Sequence, residues 1–130
     1  MAREHSASTI PEKRELTAEE RALIGWLLEH GEPGARAFLN QLPDATVVGR
    51  CSCGCASIDL AVGGRVGTPG PMNILSDYVY RDSAGHLFGA FAFAQEDLLA
   101  GLDLWSVDGH ATAATLPKPE QLTPLETNEV

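Results

Sequence analysis

The repeat of apolar residues changes period at Pro43, which restricts the chain to folds in which helical segments precede a sheet. Before Pro43, Leu23, Ile24, Leu27 and Leu28 recur at the three- and four-residue spacing of one helical face, with Trp26 at its edge. Thr17 and Glu20 stand in the S/T-x-x-E pattern of a capping box, and Gly31 supplies a stop after His30. Ala35, Phe38, Leu39 and Leu42 repeat the same spacing between Pro33 and Pro43, which predicts a second, short helix. So few residues separate the two that they are expected to fold as a helical hairpin.

After Pro43 the period is that of strands. Thr46, Val47 and Val48 are a β-branched run, and Ile58, Leu60 and Val62 alternate with small or polar residues. Tyr78–Arg81 and His86–Ala94 flank Asp82-Ser83-Ala84-Gly85, a hairpin turn in which Gly85 can take positive φ. Leu98–Asp108 reads as a further strand. No helical segment connects these strands, as parallel pairing would require. The expected fold class is therefore α+β, an N-terminal helical hairpin packed on an antiparallel sheet of about five strands. Residues 1–15 and 110–130 lack an apolar period, so the expectation is a single domain over 16–109 between loosely ordered tails.

The 130 residues carry 18 acidic and 9 basic side chains, for a formal charge of −9. Nucleic-acid affinity rests on Lys and Arg displacing counterions, so DNA or RNA binding is disfavoured and a basic protein is the expected kind of partner. The first residues show no apolar leader stretch, and the run Ala90–Ala94 is far below the roughly 20 residues that cross a bilayer. A cytoplasmic protein without membrane association is expected.

All of the cysteines lie in Arg50-Cys51-Ser52-Cys53-Gly54-Cys55-Ala56. Their odd number and tight clustering do not fit a secreted disulfide framework. They are the candidate metal or thiol site, with zinc as the candidate cofactor, although the paired C-x-x-C knuckles of common zinc sites are missing. Residues two apart on a flat strand are about 6.6 Å apart, whereas tetrahedral zinc sets its sulfurs roughly 4 Å apart. Chelation by Cys51, Cys53 and Cys55 thus requires a bent backbone, and Gly54 is the residue that can bend. His30, His86 and His110 are weaker candidate ligands, and the default expectation is that the thiols simply pack as small buried or half-buried side chains.

The loop that contains Gly63, Gly64, Gly67 and Gly70 is a candidate mobile segment. It lacks both G-x-x-x-x-G-K-[ST] and G-x-G-x-x-G, so it is expected to connect strands rather than cradle phosphate. Neither G-x-S-x-G nor H-E-x-x-H occurs, and no catalytic residue is assigned.

The segments Leu16-Thr17-Ala18-Glu19-Glu20, Trp26-Leu27-Leu28, Phe38-Leu39 and Val48–Leu60, the last containing the cysteines, resemble a set of small bacterial proteins, chiefly actinobacterial, with no assigned activity. The resemblance spans residues 16–109 and implies a bacterial cytoplasmic setting, without carrying over any catalytic residue. Charge and motif content together favour a non-enzymatic, acidic protein-interaction module, immunity-like or adaptor-like. The alternative is a metal- or small-ligand-binding domain centred on the cysteines.

Overall fold

In the computed structural model, which describes residues 9–68, 70–109 and 111–124, the strands form one antiparallel sheet in an α+β fold. The order along the chain is β1 (Thr9–Glu15), α1 (Ala18–Glu29), a 3-10 helix (Ala35–Asp44), β2 (Ala45–Cys51), β3 (Ile58–Val62), β4 (Asn73–Arg81), β5 (Leu87–Gln95), β6 (Leu98–Ser106), a short 3-10 turn (Pro119–Gln121) and β7 (Thr123–Pro124). Across the sheet the strands run β1-β2-β3-β6-β5-β4-β7. Two meanders, β1-β2-β3 and β4-β5-β6, therefore meet where Ile58 pairs with Leu102 and Asp59 with Gly101.

Seven strands replace the expected five, and the helical pair is not N-terminal, because β1 precedes it. Both additional strands fall in segments expected to be loose, so the sheet extends past residues 16–109 at both ends. Each is an edge strand with a proline, Pro11 in β1 and Pro124 in β7. An edge tolerates the missing N–H, and proline there discourages further strand addition. The second helical segment is 3-10 rather than α. No side chain caps its start at Gly34, and Pro43 inside it has no N–H to donate.

The start of α1 forms as its sequence predicts. Glu20 N–H donates to Thr17 Oγ1 at 3.1 Å, and Thr17 N–H donates to the Glu20 carboxylate at 2.8 Å. Arg14 on β1 donates to both Glu20 oxygens at 2.9 Å, tying the first strand to the helix. Burial alone would raise the Glu20 carboxyl, but these bonds from Arg14 and Thr17 outweigh it and hold the group below its usual value. A carboxylate with a depressed folded pKa stabilises the fold above its unfolded pKa, and that contribution is lost as pH falls through the folded value. Glu20→Gln is expected to flatten the loss of stability below the ordinary carboxylate range, as read by urea unfolding at stepped pH.

Leu23, Ile24, Leu27 and Leu28 are fully buried in a core shared with Leu75, Tyr80, Phe88, Ala90 and Leu104 from the sheet. On the opposite side, Phe91, Phe93 and Ala100 form a smaller buried cluster with Met72, Ile74 and Trp105 against it. No described helix is long and apolar enough to cross a membrane.

The glycine-rich loop is explained by topology. From the end of β3 the chain must pass both β6 and β5 to reach β4, and it does so over the β5–β6 turn. Thr68 N–H donates to Glu96 Oε1 at 3.1 Å, and Gln95 Nε2 donates to the Gly70 carbonyl at 3.4 Å. A Cβ at Gly67 would lie 2.6 Å from the Gln95 carbonyl oxygen, so only glycine permits this approach. Gly63 and Gly64, with φ of 58° and 81°, form the turn that leaves β3.

Candidate metal centre

The site begins at the last residue of β2 and ends just before β3. Those two strands are antiparallel neighbours, so the intervening Ser52–Ser57 segment must reverse direction. Gly54, at φ 94°, makes the bend that the cysteine spacing requires. The segment is pinned at its far side, where Ala56 N–H donates to the Ala113 carbonyl at 2.8 Å. The fully buried Ser57 hydroxyl accepts from Leu104 N–H at 2.8 Å and donates to the Leu104 carbonyl at 3.2 Å. The turn is thereby fastened to β6, a contact fixed by strand register and absent from any local motif.

On this frame the Cys51, Cys53 and Cys55 sulfurs all lie within 4.8 Å of one another. Cys51 is buried, Cys55 half-buried and Cys53 exposed. Cys51 Sγ–H donates to Cys53 Sγ at 2.7 Å, and the Cys53 and Cys55 N–H groups donate to Cys51 Sγ and Cys53 Sγ at 3.3 and 3.4 Å. Cys55 Sγ–H donates to Ser57 Oγ at 3.2 Å. Burial, reinforced by the bond to Cys53, pushes the Cys51 thiol up to about 12. Burial works the same way on Cys53, but the donors from Cys51 and Cys55 prevail and hold it below the ordinary thiol value. Burial also raises Cys55.

Beside Cys53 and Cys55 lies a cavity of about 160 Å³ lined by Leu104, Trp105, Ser106, Ala111, Thr112 and Ala113. The nearly buried Tyr80 hydroxyl has no hydrogen-bond partner among the described residues. Burial drives it up to about 12, with Asp82 and Cys55 adding to the shift. Ser57 and Tyr80 carry no sequence signal as parts of the site, since one acts through β6 and the other arrives on β4.

Of the histidines named from sequence, His30 and His86 do not join the sulfurs. His30 stacks on Trp26 at 4.0 Å, and its Nδ1 lies 2.8 Å from the Trp26 carbonyl oxygen. The Tyr78 hydroxyl donates to the His30 carbonyl at 2.7 Å. His86 ends the β4–β5 turn with Nδ1 3.9 Å from Asp108. His110 lies outside the described residues. Among those described, the three cysteines are the group of His, Cys, Asp and Glu side chains that can hold a metal ion.

Chemically the set is soft, which suits thiophilic ions such as zinc. Zinc needs sulfurs roughly 4 Å apart, so binding would spread Cys51 and Cys53 by about 1 Å. Neither protein-family models nor curated proteins nor solved structures match this chain.

Proposed function

We propose that this chain is a metal-binding protein that holds zinc on the thiolates of Cys51, Cys53 and Cys55, with a fourth coordination position turned toward solvent beside Cys53. The observation that carries this reading is the convergence of the sulfurs to within 4.8 Å, on residues that a flat strand would keep too far apart. Exposure of Cys53 supports an open fourth position, because protein covers the Cys51 side. The N–H donors to Cys51 and Cys53 support it too, since backbone donors stabilise sulfur in its thiolate form.

Ligation by thiolates displaces protons from groups that the fold holds largely protonated at neutral pH, as burial does for Cys51 and Cys55. Zinc affinity is therefore expected to fall as pH is lowered from neutral. Titration calorimetry of the reduced full chain in buffers of different ionisation enthalpy should give one zinc per chain with net proton release. No uptake of zinc by the reduced protein would refute the reading. Recruitment of a basic protein by the charge of −9 is the lesser reading, and loss of a captured partner at high salt is its test.

A further inference from the structure

We infer that the ion-free chain carries a thiol–disulfide exchange activity, with Cys53 as the attacking sulfur, Cys51 as the resolving sulfur, and a low-molecular-weight disulfide as the oxidising substrate. The inference rests on where the sulfurs stand and does not require metal binding. Cys53 is exposed, so a small disulfide can reach it, while Cys51 is buried at the end of β2 and shielded from direct attack. The two sulfurs are 2.7 Å apart, well inside the contact of non-bonded sulfur atoms. The bend at Gly54 has already brought these near neighbours together, so closing a bond between them requires little rearrangement of the backbone. Cys55 is engaged with Ser57 and is left as the free thiol.

In the first step the Cys53 sulfur attacks one sulfur of the substrate disulfide. The substrate S–S bond breaks, a Cys53 mixed disulfide forms, and the departing thiolate takes up the proton lost by Cys53. In the second step the Cys51 sulfur attacks the Cys53 sulfur, the mixed disulfide breaks, and the second thiolate leaves with the proton from Cys51. The balance is one substrate disulfide reduced to two thiols and one Cys51–Cys53 disulfide formed. A small cavity beside Cys53 and Cys55 provides room for the substrate arm during the first step.

The test uses hydroxyethyl disulfide with the reduced, chelator-treated full chain, followed by intact mass and alkylation of the remaining thiols. The parent is expected to lose two hydrogens, about 2 Da, and to keep one alkylatable thiol. Cys55→Ser should close the bond as the parent does. Cys51→Ser should stop at a persistent mixed disulfide with mercaptoethanol, and Cys53→Ser should slow thiol loss at least about tenfold. An adduct that persists in Cys55→Ser would overturn the inference. So would ring closure in Cys51→Ser, which would make Cys55 the resolving thiol, or parent-like rates in Cys53→Ser. Each of these readouts is taken without zinc, so failure here leaves the metal reading standing and failure of zinc binding leaves this one standing.

Discussion

Cys51→Ser is expected to weaken zinc binding by at least about a hundredfold. Structural zinc sites contribute roughly 10–16 kcal/mol in total, so removing one of three thiolates should cost several kcal/mol. Cys51 gives the clearest measurement because it is the innermost sulfur: it accepts from Cys53 N–H and donates to Cys53 Sγ. A serine hydroxyl retains the volume and a donor but is a poor ligand for a soft ion, so the folded state should persist while affinity falls. Competition against a chromophoric chelator, alongside the circular dichroism of the ion-free variant, separates the two effects. Parent-like affinity in a folded Cys51→Ser chain would remove this residue from the site.

The second large effect concerns the body that carries the site. Leu27→Ala should lower the free energy of unfolding by about 2–5 kcal/mol, the range for truncating a buried leucine. Leu27 is fully buried on the face of α1 that meets the sheet core, so the vacated volume has no access to solvent. Total stability for a domain of this kind is about 5–15 kcal/mol, which makes the loss a substantial fraction of the whole. Val66, 63% exposed, provides the contrast, and its truncation should change stability by no more than about 0.5 kcal/mol. Denaturant unfolding of both variants measures the difference. Equal effects at the two positions would contradict the assignment of the core.

The parts of this fold that were legible in the sequence are those specified locally. Thr17 and Glu20 satisfy each other's backbone donors within one turn, and Leu23, Ile24, Leu27 and Leu28 share a face whatever that face meets. The β4–β5 turn is likewise local, with Asp82 accepting from Gly85 N–H and Gly85 at φ 88°. By contrast, β1 reads as charged and patternless because, Ile10 apart, its half-buried positions are polar. Glu12 pairs with Arg14 and with Arg50 on β2, and Arg14 with Glu20 on α1, so two of these three pairs reach outside the strand. The 3-10 segment is not distinguishable from an α-helix in the sequence, because apolar residues three apart align on one face in either kind of helix and the spacing of Ala35, Phe38, Leu39 and Leu42 does not separate them.

The candidate site divides along the same line. That Gly54 must bend for the cysteines to meet follows from strand geometry and is visible in the sequence. The anchorage of that bend is not, because Ser57 reaches Leu104 only through the pairing of β3 with β6, and Tyr80 approaches from β4. The histidines were plausible ligands from residue type alone. Stacking on Trp26 and placement beside Asp108 give His30 and His86 other surroundings.

X-ray absorption at the zinc edge of the loaded, reduced full chain tests the central claim most directly, because it counts sulfur neighbours. Three sulfurs at about 2.3 Å with one lighter oxygen or nitrogen neighbour are predicted. A first shell with two or fewer sulfurs, or one of oxygen and nitrogen only, would contradict the account.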